Sequence, residues 1–340
     1  MKRTLLVLLA LVIVFALVLT GCAAPADKPE ADAPAAETPK TDEQPADDAP
    51  EADDGVYIGI SIKTLSDTYM QSLLSGLEAE LAKHPEVKYD VLDAQADVNT
   101  QLSQAEDLIN KGVDVLIFIP QDAEACAYIN DVAHEAGVKV VEVCTETNGE
   151  KSDVYVGSDD VIAGEMMAEY IMERYPDGAK YVILQGLMGQ SSQIFRDEGL
   201  DNTIRKDEKY ELLDIQTANW QRDEAMAQVE DWLIKFEDLQ AIICHNDDMA
   251  MGALEACEAA GRKEDIVIIG VDGIEDAVRA VKEGRTDCSI LQNAVAQGEN
   301  AIQAGIKLAA GEKVERRIMV DFERITQENA QEYIDMLYGG

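Results

Sequence analysis

Lys63, Asp67 and Tyr69 follow one short apolar run of the chain, and Cys144 with Thr145, Arg196, Trp220, Asn246, Asp272 and Gln292 follow others. The set holds carboxylates, amides, a guanidinium, an ammonium and two large aromatics, with no nucleophile beside a base. A carboxylate accepts from hydroxyl groups, a guanidinium donates in a fork, and an amide does both. Aromatic faces cover C–H surface and bury a large area at low entropic cost. These are groups for holding a neutral, polyhydroxylated molecule, and no catalytic residue is expected. His84, His134 and His245 are the only histidines, and no Cys/His spacing suits a metal, so neither a metal nor a cofactor is expected.

The elements that must position these residues are legible in the periodicity. Ten apolar runs, from Val56–Ile62 to Cys288–Leu291, alternate with nine amphipathic stretches of helical period, from Thr68–Lys83 to Gln297–Ala310. Such alternation predicts an α/β fold with parallel sheets covered on both faces. The pattern restarts after Pro176-Asp177-Gly178, and so many β–α units exceed one open sheet, so two similar doubly wound, Rossmann-like lobes are expected. Ligands of such sheets bind beyond the carboxyl ends of the strands, where the residues above fall.

The N-terminal 54 residues have another character. Lys2 and Arg3 precede an unbroken apolar run, Leu5–Leu19, which is signal-peptide length and shorter than the roughly 20 residues of a spanning helix. Residues 23–54 hold six of the nine prolines and eleven acids against Lys28 and Lys40, a composition too polar to bury a core. Residues 55–340 carry 56 acids against 24 bases. That balance excludes nucleic acid as a partner, because its phosphates would be repelled. Cys126, Cys144, Cys244, Cys257 and Cys288 are odd in number and lack a CxxC, so buried free thiols are expected.

Leu19-Thr20-Gly21-Cys22 resembles the lipobox of bacterial lipoproteins, which implies a signal peptide over 1–21, lipidation of Cys22 and a tether over 22–54. The rest resembles the periplasmic sugar-binding proteins of ABC transporters, of the ribose-binding type, and within them the inositol and rhizopine branch. The markers are Ser66-Asp67-Thr68-Tyr69, Asp93-Ala94-Gln95, Pro120-Gln121-Asp122 and Val156-Gly157-Ser158-Asp159. They continue with Gly189-Gln190-Ser191-Ser192-Gln193 and Arg196, then Gln216-Thr217-Ala218-Asn219-Trp220, Asn246-Asp247-Asp248-Met249-Ala250-Met251-Gly252-Ala253 and Gly270-Val271-Asp272-Gly273.

The resemblance implies one lobe over 55–158 plus 293–322 and another over 159–292 plus 323–340, joined by a three-strand hinge and closing on one ligand. It implies a sugar or cyclitol ligand, an ABC permease as partner, a membrane-held extracytoplasmic location and a monomer. A sugar-sensing receptor and a nucleoside-binding lipoprotein are the alternatives. Asp67, Arg196, Asn246, Asp272 and Gln292 would bond ligand hydroxyls, and Tyr69 and Trp220 would cover the ring faces. Met70 stands where relatives place a second aromatic. Cys144-Thr145 replaces an acid or amide followed by arginine, and Lys63 would supply charge from the other side.

Several of these residues have a plain structural alternative. Trp220 lies in a polar turn, which favours a binding platform, whereas Trp232 lies in a helical run and reads as core. Asp247 reads as the helix cap and Asn246 as the ligand contact. Cys144 reads as a wall residue, and the pairs Asp53-Asp54 and Asp159-Asp160 read as solvated turns.

Overall fold

The computed structural model describes residues 55–339; the signal segment, Cys22 and the tether lie outside them. In chain order the first half runs β1 (Tyr57–Ile62), α1 (Thr68–Leu81), β2 (Lys88–Asp93), α2 (Val98–Asn110), β3 (Val115–Phe118), α3 (Tyr128–Glu135), β4 (Lys139–Val143) and β5 (Val154–Gly157). The second runs α4 (Asp160–Arg174), β6 (Lys180–Gln185), α5 (Ser191–Asn202), β7 (Glu211–Thr217), α6 (Arg222–Lys235), β8 (Ala241–Cys244), α7 (Asp247–Ala259), β9 (Val267–Asp272), α8 (Glu275–Glu283) and β10 (Cys288–Leu291). The chain ends with α9 (Ala294–Ala309), β11 (Arg317–Met319), β12 (Glu323–Thr326) and α10 (Ala330–Tyr338).

Two six-stranded sheets result, ordered β11-β5-β4-β3-β1-β2 and β12-β10-β9-β8-β6-β7. All neighbours are parallel except β12, which runs antiparallel to β10. The central strands are apolar on both faces, as Val115-Leu116-Ile117-Phe118 and Ala241-Ile242-Ile243-Cys244 show, because helices cover both sides. In the first lobe α1 and α9 bury Leu73, Leu77 and Ile302 on one face of the sheet, while α2 and α3 bury Leu108 and Ile129 on the other. In the second, α6 and α7 bury Trp232, Val229 and Leu254 on one face, and α4 and α5 bury Met167, Ile171 and Leu200 on the other.

The chain passes between the sheets three times: from β5 to α4, from β10 to α9, and from β11 to β12. Strands β11 and β12 carry no signal in the periodicity, since they are three and four residues long and lack an apolar run, whereas α10 has a helical period in Ala330, Tyr333, Ile334 and Leu337 that the sequence reading did not include. Asp67, Asp97, Asp159, Asn246 and Asn293 cap α1, α2, α4, α7 and α9 with side-chain oxygens, which fixes where each helix starts.

Helices α4 and α5 cross in backbone contact at Gly164 and Gly199. A Cβ on Gly164 would lie 2.1 Å from Arg196 O and 2.9 Å from the Gly199 Cα. Neither neighbour is a flexible side chain, so the helices would have to part. Gly164→Ala is expected to cost about 1–3 kcal/mol or more by overpacking, read as a lower urea midpoint with an unchanged slope.

Candidate functional site

The first lobe brings Lys63 from the loop after β1, Asp67, Tyr69 and Met70 from the start of α1, and Cys144 from the end of β4. The second brings Ser192 and Arg196 from the first two turns of α5, Trp220 from the turn after β7, Asn246 from the end of β8, Asp272 from the end of β9 and Gln292 from the turn after β10. All eleven line one cavity between the lobes. Each stands past the carboxyl end of a parallel strand or in the first turns of the next helix, where the fold exposes side chains and amide ends together.

Arg196 is almost fully buried. Its Nε donates to Asp160 Oδ1 at 2.8 Å, one terminal nitrogen donates to the His245 carbonyl oxygen, and the other donates to Gln292 Oε1 at 2.9 Å. Burial works against its charge, but Asp160 and Asp272 more than offset that and raise its pKa. Burial pushes the Asp160 carboxyl up, with Arg196 pulling it back. Burial also holds His245 neutral, well below the ordinary histidine range.

Lys63 Nζ donates to Gln190 Oε1 at 2.8 Å, and Trp220 Nε1 donates to the same oxygen at 3.0 Å. Gln190 Nε2 donates to Gln121 Oε1 at 3.3 Å, so one glutamine of the second lobe joins both walls of the cleft. The same loop touches the first lobe through Ala123 N donating to Gly189 O at 3.0 Å and Glu146 N donating to Ser191 Oγ at 2.9 Å. The Lys63 ammonium and the Arg196 guanidinium stand 5.9 Å and 5.7 Å from the Trp220 ring centre.

Two carboxylates keep acceptor capacity inside the cavity. Asp67 accepts from Tyr69 N at 2.8 Å and Met70 N at 3.2 Å, both on Oδ1, which leaves Oδ2 without a partner among the described residues. The Asp272 carboxylate accepts no hydrogen bond from any described residue although the residue is only 6% exposed. Burial raises its pKa well above the ordinary carboxyl value; Arg196 opposes the shift, and Asp247 and Asp67 add to it. Burial likewise raises Asp67, against Lys63. Burial pushes the Cys144 thiol up to about 12, so it is a neutral wall group.

The structure departs from the sequence reading at four points. Thr145 does not line the cavity: Cys144 has a left-handed backbone (φ 63°), and the Thr145 hydroxyl turns back to donate to Pro120 O at 2.9 Å. Asn246, not Asp247, caps α7, accepting from Met249 N at 3.0 Å while still lining the cavity. Asp247 is buried instead beneath the turn after β9. Asp160 is no solvated turn residue but the buried partner of Arg196, whereas Asp159 is the exposed cap. Ser192 is a lining residue that sequence reasoning passed over; its place one turn before Arg196 on a helix start was the available signal. Trp220 does two things, lining the cavity and packing among Leu184, Val229 and Met249 in the second lobe's core.

Residues 58–313 match the periplasmic binding protein domain. The chain belongs to the periplasmic binding protein family. The ribose import binding protein of Bacillus subtilis is 35% identical over 270 residues, 79% of this chain and 87% of that protein. A putative rhizopine-binding protein of Rhizobium meliloti is 34% identical over 284 residues, 81% of this chain and 92% of that protein. An ABC transporter solute-binding protein of Bacillus halodurans, solved with bound myo-inositol, superposes with a TM-score of 0.80 at 30% identity, covering 83% of this chain and 98% of that one. As a periplasmic binding protein of the sugar-binding kind, the chain is a binding protein and not an enzyme, with two parallel-sheet lobes. All five cysteines of the described residues are free and buried.

The unpartnered Asp272 has a measurable cost. Its folded pKa lies above its unfolded value near 3.8, so the native state holds this proton longer and loses stability as pH rises past that value. Asp272→Asn is therefore expected to raise the melting temperature of the empty protein at pH 7, with the gain shrinking as pH falls toward 4. A lowered melting temperature at pH 7 would show that the carboxylate is stabilised after all.

Proposed function

We propose that the protein captures a neutral sugar or cyclitol, of the inositol kind, between its lobes and hands it to an ABC permease. The observation that carries this reading is the Asp272 carboxylate, buried in an interlobe cavity beside the Arg196 fork with no protein donor of its own. A ring bearing adjacent hydroxyls supplies those donors, and Asp67 Oδ2 accepts in the same way from the other lobe. Tyr69 and Trp220 cover the C–H surface of such a ring. The ribose named for one relative and the myo-inositol bound in a structural neighbour belong to this chemical class.

Capture proceeds by closure. A ligand that touches Asp67 and Tyr69 on one side and Arg196, Trp220 and Asp272 on the other makes its full set of contacts only when the lobes meet, so it draws the open–closed equilibrium toward the closed form. The contacts of the loop 187–191 with the first lobe belong to that form. Cys22, with its lipobox-like context and acidic tether, supports an extracytoplasmic protein held at the membrane by lipid, with the permease reading the closed face.

Thermal-shift titration with myo-inositol, D-ribose, xylitol, D-allose and adenosine tests the ligand class, with the largest rise expected for myo-inositol. A larger rise with adenosine would replace the ligand class by nucleosides, and no rise with any would overturn the reading. Hydrogen bonds to a charged group are worth about 1.5–3 kcal/mol, so Asp272→Asn should weaken myo-inositol binding about 10- to 100-fold at pH 7. Wild-type affinity should fall as pH is lowered through the raised Asp272 pKa, since the protonated carboxyl loses an acceptor. Cys22→Ser is expected to move the full-length protein from the membrane fraction to the soluble one, and continued membrane retention would rule out lipidation at that residue.

A further inference from the structure

The turn that presents Asp272 is gripped from two sides. Asp272 ends β9 with a φ of 129°, and Gly273 follows with a φ of 75°, backbone that L side chains rarely adopt and that neighbours must hold. From within the lobe, Asp247 Oδ2 accepts from Gly273 N at 2.7 Å, Ile274 N at 3.1 Å and Ser289 Oγ at 2.7 Å. From the opposite side, the hydroxyl of Tyr338 donates to the carbonyl oxygen of Gly273. Asp247 thus fixes the amide end of this short turn and Tyr338 fixes its carbonyl end.

Tyr338 is the last residue of α10, a helix seated on the second lobe by Ala330 and Ile334 against Val281, Leu291 and Ile325. Its ring and Leu337 line a second cavity. Tyr69, Asp272 and Gln292 line both cavities, which makes them the partition between the ligand space and the space that Tyr338 borders. The C-terminal helix therefore reaches the back of the site through one hydroxyl.

We propose that Tyr338 is a positioning residue for ligand binding: its hydroxyl holds the Gly273 carbonyl and through that peptide sets the direction of the Asp272 carboxylate. The proposal rests on the reading that Asp272 receives ligand hydroxyls. A charge-assisted hydrogen bond is directional, and a carboxylate misplaced by about 1 Å forfeits most of it. Tyr338 touches no ligand; it limits the rotation of a turn whose backbone is otherwise strained.

The test is a double-mutant cycle in calorimetric titrations with myo-inositol, run with D-ribose, xylitol and D-allose alongside, on wild type, Tyr338→Phe, Asp272→Asn and the double variant. Tyr338→Phe keeps the ring and removes one hydrogen bond, so affinity should fall about 3- to 10-fold. In the Asp272→Asn background the same change should have no further effect. Equal losses in both backgrounds, or a lowered melting temperature with unchanged affinity, would mean that Tyr338 only supports the fold and would overturn the proposal. If Asp272→Asn binds as tightly as wild type, or wild type binds none of the four, the proposed function fails and this inference with it. If Asp272→Asn weakens binding and Tyr338→Phe does not, only the role of Tyr338 fails.

Discussion

A guanidinium taken out of water has to be given acceptors by the protein, and Arg196 collects them from three separate parts of the chain. Asp160 opens α4 directly after the first crossing between lobes, the His245 carbonyl ends β8, and Gln292 lies in the second crossing. The charge thereby ties two of the three interlobe connections to the end of a core strand before any ligand arrives. Removing one partner of such a buried pair costs about 3–5 kcal/mol, because the other is left charged and dry. Three of the five guanidinium N–H groups are engaged in this way, which leaves two to donate elsewhere. Arg196 is consequently the anchor of the site and, in our reading, a donor within it, and the close crossing of α4 and α5 at Gly164 keeps it in reach of Asp160.

The third crossing is tied in by smaller bonds. Ser158 Oγ in the first crossing donates to Val320 O in the third at 2.6 Å, and Val320 N donates to Gly157 O at 2.8 Å. Gln297, one turn into α9 after the second crossing, donates to Ser158 Oγ at 3.0 Å and accepts from the Tyr69 hydroxyl at 2.9 Å. All three connections and one aromatic wall of the cavity therefore share a single network. Motion of one lobe against the other has to be absorbed by the few residues between these bonds, as hinge motion is. In our reading the ligand senses the hinge through Tyr69.

Most of the cavity was legible because a parallel α/β sheet puts its useful side chains at strand ends, and strand ends follow apolar runs. What stayed hidden depends on partners distant in sequence. In Asp159-Asp160, two identical side chains part ways, one capping a helix in water and one meeting Arg196, which lies 36 residues further on. In Asn246-Asp247, both residues suit a cap, and the choice is made by the turn after β9, whose amides need the Asp247 carboxylate. Thr145 was misplaced because the reversal of the chain at Cys144 needs a positive φ that a cysteine does not advertise. Strands β11 and β12 owe their structure to edges already built by the rest of the chain, so no local period announces them; α10 does show a helical period, but it is short and lies beyond the last alternating unit, and Tyr338 stayed out of view with it.

The charge of the cleft differs in kind from that of the chain. Across its length the protein carries −39, which keeps anions at a distance. Around the cavity, Asp160 and Asp272 stand near Arg196, and Lys63 stands near Asp67, so three carboxylates meet two cations. Burial raises the pKa of both Asp67 and Asp272, and Asp67 adds to the rise at Asp272, so the cleft resists ionising them together. Hydroxyl donors lower that resistance without adding charge, whereas an anionic ligand would add a further negative charge beside Asp67 and Asp272. In our reading the site favours many weak donors on a neutral ring over one strong charge, with residues whose cost the folded protein carries until the ring arrives.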